Sequence, residues 1–209
     1  MSVEFAYRPA IEPIYEEALL RSLTRIQTEI PAQELAVQWD VAPDIGVIEG
    51  ASWIEPWFSP VQEGAEYRLV RLASYVRDDV EMGFHFCYGD MGHKHWIESR
   101  DMGTMVGLAG SVLERVKRRV DWIHMPVPKD RDDVAYLAPL KGLKLGATSL
   151  FLGLVRVSDE EGTQKRIQAA GLAGIQTFGV ATKCGMGRTP VDELDSIFQI
   201  FTSVSKPYA

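Results

Sequence analysis

The sequence has little cysteine. Cys87 and Cys184 are the only two in 209 residues, too few for a disulfide-stapled scaffold. Basic residues are also outnumbered: 22 Lys and Arg against 29 Asp and Glu leave a net charge of −7. That balance argues against a nucleic-acid partner, because non-specific nucleic-acid binding leans on basic patches. No apolar run approaches the ~18–20 residues of a membrane-spanning helix, so no membrane partner is expected. The opening MSVEFAYRPAIEP lacks the basic and apolar regions of a secretory leader. Low-complexity tracts, linkers and strong internal repeats are missing too. A 46% hydrophobic and 10% aromatic content is enough for a core and excludes global disorder. The expectation is a soluble, cytoplasmic protein with one domain over residues 1–209.

A short β-rich run followed by a helix-capable stretch recurs along the chain. The strand candidates are Leu35–Ala42, Met82–Tyr88, Val120–Val127, Ser149–Arg156 and Thr177–Cys184. Each is a nearly continuous apolar run, as expected of a strand buried on both faces. Helices are expected over Ile14–Ile30, Ala65–Asp78, Val106–Val120, Glu161–Ala170 and Val191–Val204, with Gly171 as a C-cap and Pro190 as an N1 residue. The alternation predicts an α/β fold with a parallel sheet. Polar residues gather where the strands end: Asp40, His85, Cys87, His124, Arg156 and Cys184. In α/β barrels and open α/β sheets, sites form at that end.

His85 and Cys87 stand two apart, so on a strand they point to the same side. An imidazole and a thiolate side by side make half of a zinc site. Cys184 closes another strand and precedes Gly185. Two thiolates and one imidazole would leave an open coordination position, the catalytic rather than the structural pattern. Other features carry weaker expectations. His93 and His95 suit a metal, a phosphate or a solvated loop. Lys129–Asp133 suits a substrate clamp or a mixed-charge surface loop. Trp39, Trp53, Trp57 and Trp96 suit a pocket lining or the core. The glycine-rich Gly103–Gly110 lacks a Gly-Lys-Ser/Thr ending and does not fit a nucleotide-binding fingerprint.

Four segments carry a resemblance: AVQWD (36–40), FHFCYGDMGHKH (84–95), VDWIHMPVPKDRDD (120–133) and GVATKCGMGR (179–188). In this order and spacing they resemble the C-terminal domain of cobalamin-independent methionine synthase. More broadly they resemble the superfamily it shares with uroporphyrinogen decarboxylase and the zinc-dependent coenzyme M methyltransferases. The resemblance runs from about Tyr15 to the C-terminal helix. It implies a (β/α)8 TIM-type barrel, Zn²⁺ held by His85, Cys87 and Cys184, and transfer of a methyl group to a substrate thiol. It also implies that Asp40, with Gln38 beside it, holds a substrate amino group. The partners implied are a small-molecule thiol and a methyl donor such as a folate.

Two positions depart from the family. Pro126 stands where methionine synthases have a glutamate ligand, and His124 is the nearby residue that could take its place. Leu154 and Arg156 stand where they have an Asp-x-His whose histidine is a catalytic acid. An arginine stays protonated, so Arg156 suits a substrate carboxylate or phosphate. His124 and Arg156 are accordingly the expected catalytic pair. Two further readings stay open: a metal-free decarboxylase or lyase of the same superfamily, and a non-catalytic partial barrel serving as a subunit. Eight strand–helix units need ~200–250 residues or more, and only about five are visible here. The expected fold is therefore an incomplete barrel, comprising the C-terminal five units. Its open edges favour a homo-oligomer or completion by another chain.

Overall fold

The computed structural model describes residues 3–51, 55–89, 95 and 97–205. Its framework is five strands: β1 (Ala36–Asp40), β2 (Glu81–His85), β3 (Trp122–Pro126), β4 (Ser149–Val155) and β5 (Gly179–Thr182). All pair in parallel, in the order β1-β2-β3-β4-β5. The order follows the sequence without reversal, so the sheet has no switch point of the doubly wound kind. The fold is α/β with an open five-stranded sheet, and β1 and β5 are its edges. Each strand falls within an expected apolar run or within one residue of it.

Seven helices are described: α1 (Arg8–Glu29), α2 (Ala42–Ile48), α3 (Val61–Ala73), α4 (Gly103–Arg115), α5 (Val134–Leu137), α6 (Glu160–Leu172) and α7 (Val191–Val204). Helix α1 begins six residues earlier than the apolar spacing suggests. Pro9 lies in its first turn, where a missing N–H costs least, while Pro13 lies inside the helix and leaves out one bond of its ladder. Helix α6 runs through Gly171 to Leu172, and Gly174, at φ +94°, takes the left-handed position beyond its end. Pro190 is the N-cap of α7 rather than its N1 residue. The short helices α2 and α5 were not expected. The second is started by Asp133, whose carboxylate accepts the Tyr136 N–H at 2.8 Å.

Alternation along the strands divides the sheet into two faces. One face, with Met82 and Phe84 on β2, Ile123 and Met125 on β3, and Leu150 and Leu152 on β4, packs with Leu23, Ile45, Leu69, Leu108 and Ala169 of the helices in a single buried cluster. A smaller cluster joins Val155 to Ile197 and Ile200 of α7. The opposite face carries Gln38, Asp40, Gly83, His85, Trp122, His124, Phe151 and Gly153. Its register aligns Asp40 with His85, His85 with His124 and His124 with Phe151 across four strands.

That polar face is curled at its C-terminal end. In a flat sheet, points on β2 and β5 lie three strand spacings apart, ~14 Å. Yet the thiol of Cys87, just after β2, and that of Cys184, just after β5, lie within 4.8 Å of each other. His124 on β3 likewise reaches the Thr182 carbonyl on β5 at 3.1 Å, crossing over β4. The crossing is open because β4 has glycine there. A Cβ on Gly153 would stand 2.6 Å from the Thr182 carbonyl oxygen and 3.1 Å from Nε2 of His124. No described helix is long and apolar enough to cross a membrane.

Candidate metal centre

His85, Cys87 and Cys184 meet at the C-terminal end of the sheet. One nitrogen of His85 and the two Sγ atoms all lie within 4.8 Å of one another, with His85 and Cys87 buried and Cys184 half-buried. Cys87 follows the end of β2 two residues after His85, where Phe86 N–H still donates to the His124 carbonyl of β3, and the curl brings in the third. One imidazole and two thiols suit a borderline or soft divalent cation, so the group can hold a metal ion. Neither cysteine forms a disulfide. The hydrogen bond to Cys184 pushes the Cys87 thiol well above its usual range, with further contributions from burial and from the charges of Cys184 and Asp40. Two thiolates side by side need a cation to balance them, and binding one displaces the thiol protons.

His124 stands beside this group rather than within it. Its ring stacks on His85 with centroids 4.7 Å apart, and its Nδ1 lies 2.8 Å from Nδ1 of His85. Its Nε2 lies 3.1 Å from the Thr182 carbonyl oxygen. Both ring nitrogens are therefore engaged. Burial first, and then the charges of His85 and Arg156, push its pKa down to about 3 against the opposing hydrogen bond to Thr182. A histidine so held is neutral near pH 7 and is a poor store for a catalytic proton. Arg156 is buried, and its Nη2 donates to the Val127 carbonyl. Pro126 lies in β3, paired with Gly153, and its side chain offers no ligand atom.

Gln38 and Asp40 are exposed on edge strand β1, on the same face as His85. A chain of hydrogen bonds orients them. Trp122 Nε1 donates to Oε1 of Gln38 at 3.2 Å, and Nε2 of Gln38 donates to Oδ1 of Asp40 at 3.0 Å. The indole reaches β1 from β3 by lying flat over Gly83, where a Cβ would meet it at 2.2 Å. Phe151 covers Gly179 in the same way. Trp122, Gly83, Gly153 and the Thr182 carbonyl were not among the expected site residues. Pairing each large ring with a neighbouring glycine was the available signal for the first two. A backbone carbonyl leaves no signal in sequence.

Other expected features lie elsewhere. Trp39 packs against the helix-covered core. Trp57 donates to Glu12 at 3.0 Å, in the seam between α1 and α3. His95 lies beside Glu98 and against the Tyr88 ring. His93, Trp53 and Trp96 lie outside the described residues. Lys129–Asp133 is a tied-down loop: Arg131 pairs with Asp133, and the Lys129 carbonyl accepts from Arg166 at 2.8 Å. Gly103–Gly110 lies inside α4. Set against models of known families, characterised proteins and solved structures, the chain finds no match in any of the three.

Proposed function

We propose that the protein is a methyltransferase of the methionine-synthase type, moving a methyl group onto a substrate thiol at a zinc site formed by His85, Cys87 and Cys184. The observation that supports this is the convergence of three ligand atoms, from two non-neighbouring strands, within 4.8 Å. In this reading the curled sheet is the C-terminal part of a (β/α)8-type barrel, and a further copy or another chain covers its open edges. Zinc held there supplies one thing, a lowered pKa for a substrate thiol, so that the sulfur is a thiolate at neutral pH. The sulfur forms a bond to the methyl carbon while the bond from that carbon to the donor breaks. The donor leaves with the electron pair and takes up a proton from solvent.

The chain's own groups position the substrate. Asp40, exposed and close enough for its charge to be felt at Cys87, provides a carboxylate for a substrate ammonium, and Gln38 and Trp122 fix its direction. Arg156, at the end of β4, places a permanent positive charge near His124, suited to a substrate anion.

Two measurements test the reading. Pure wild-type protein is expected to hold stoichiometric zinc, with a metal X-ray absorption edge that changes when homocysteine or another thiol is added. Zinc-loaded protein given a labelled folate-type methyl donor and a thiol is expected to label the thiol. Absence of zinc from the wild type would favour the metal-free decarboxylase or lyase, or the non-catalytic subunit. Zinc without any response to thiols would remove the thiol-activation mechanism.

A further inference from the structure

We propose that His124 is a positioning residue: standing between the Thr182 carbonyl and His85, it holds His85 in the tautomer that donates from Nδ1 and leaves the Nε2 lone pair for a metal shared with Cys87 and Cys184. This rests on reading those three residues as a metal site, and it adds a fourth residue that touches no metal.

The assignment follows from donor and acceptor rules. A carbonyl oxygen only accepts, so Nε2 of His124, 3.1 Å from the Thr182 oxygen, must carry a hydrogen. A neutral imidazole protonated at Nε2 has its lone pair at Nδ1. Nδ1 of His85, 2.8 Å away, must then be the donor of that pair. With its proton on Nδ1, neutral His85 has its lone pair on Nε2. The chain of bonds thus runs in one direction, from His85 through His124 to the backbone of β5, and the stacking of the two rings holds their planes only 23° apart.

A ligand histidine whose second nitrogen donates to a fixed acceptor is oriented before the metal arrives, and removing such a partner weakens metal binding ~10–100-fold. Two details make the arrangement specific to this chain. Gly153 clears the path across β4, since a Cβ there would crowd both ends of the His124–Thr182 bond. Thr182 lies two residues before Cys184, so the anchor of the histidine chain and the third ligand belong to one short stretch of backbone. His124 therefore links the two halves of the ligand set, the β2 pair and the β5 cysteine, through a path separate from the cysteines themselves.

The test uses the full chain, wild type and two variants. His124→Phe keeps a ring of similar size and loses both hydrogen bonds. His124→Gln supplies a donor and an acceptor on one amide. Long-range ¹H–¹⁵N correlation spectra of the metal-free wild type are expected to show His85 protonated at Nδ1 and His124 protonated at Nε2. In His124→Phe, His85 is expected to become a mixture of tautomers. Zinc and cobalt affinity, by chelator competition, is expected to fall ~10–100-fold and to recover largely in His124→Gln, with the visible spectrum of the cobalt form following the same order. Wild-type His85 protonated at Nε2 overturns the proposal. So does a folded His124→Phe with unchanged tautomer and affinity. If His124→Phe fails to fold, the wild-type tautomers and the His124→Gln affinity still decide. Wild-type protein that binds neither ion, but shows the stated tautomers, sinks the metal reading and leaves the hydrogen-bond assignment standing.

Discussion

The two faces of the sheet are built from the same strands and obey different rules. On the helix-covered face every second residue of β2, β3 and β4 is apolar and fully or almost fully buried: Met82, Phe84, Ile123, Met125, Leu150 and Leu152. On the other face the same strands carry Gly83, His85, Trp122, His124 and Gly153, joined by hydrogen bonds and ring-over-glycine contacts. The first face uses non-directional burial, which tolerates changes of detail and penalises loss of volume. The second uses directional contacts, in which one extra methyl group can displace a ring and one lost nitrogen can release another. Stability is therefore concentrated on one face and chemistry on the other, and substitutions should separate the two.

The sharpest separation is expected at the cysteines. Cys184→Ser should reduce metal binding from stoichiometric to none, measured by elemental analysis. It should change the unfolding free energy of the metal-free protein by about 1 kcal/mol or less, because the side chain is half-buried and outside the main core. A folded Cys184→Ser protein with full metal content would place the site elsewhere. Phe84→Ala should do the reverse. It removes a fully buried ring and should cost ~3–5 kcal/mol in denaturant unfolding, while the folded fraction keeps its metal affinity. A large loss of affinity in that variant would show that the two faces are coupled.

Much of this division was legible in the sequence. The five strands show because each is an apolar run with the length of a buried strand. His85 and Cys87 show because a spacing of two on a strand means one face. The placement of Cys184 needed more: its thiol reaches Cys87 only because the sheet curls, and the curl depends on contacts between strands that no local pattern reveals. Helices α2 and α5 are too short for an apolar period to form. Trp57, for which sequence left a pocket lining and the core both open, is held by Glu12 and Arg68 in the seam between α1 and α3. Local pattern thus located elements and same-strand pairs, while tertiary contacts decided what met across strands.

A smaller effect is expected at Gly83. Alanine there would set a Cβ 2.2 Å from the Trp122 indole, and the ring must move to admit it. Displacement of this kind costs ~1–3 kcal/mol. It should also break the Trp122–Gln38 hydrogen bond and so release Asp40, which Gln38 orients. The expected signature is a changed tryptophan fluorescence with metal content unaltered. A Gly83→Ala protein with wild-type fluorescence and stability would mean that the indole does not lie on this glycine.

The division also has a margin where the helix side stops relying on burial. Helix α1 buries only Leu23 and Gln27 of its 22 residues. Its N-terminal half is held to α3 largely by charge: both carboxylate oxygens of Glu12 accept from Arg68 at 2.6 Å, Trp57 adds a third bond, and Glu16 pairs with Arg71. Burial pushes the Glu12 carboxyl upward, but the hydrogen bonds and charge of Arg68, with Trp57 and Arg71, outweigh it and hold the pKa below its usual value. A carboxyl depressed in the folded state contributes stability above its unfolded pKa of ~4.3 and loses that contribution as pH falls toward the folded value. Partly exposed pairs contribute ~0.2–1 kcal/mol each, so the global effect is small and the local one is the more informative. Amide exchange along the N-terminal half of α1 should quicken between about pH 5 and pH 3 relative to the amides of β2 and β3, after correction for intrinsic rates. Glu12→Gln should show the quicker exchange already at pH 7 and little further change on acidification. If α1 and the central strands respond to acid alike, the helix is held by the common core and the ion pairs are incidental to it.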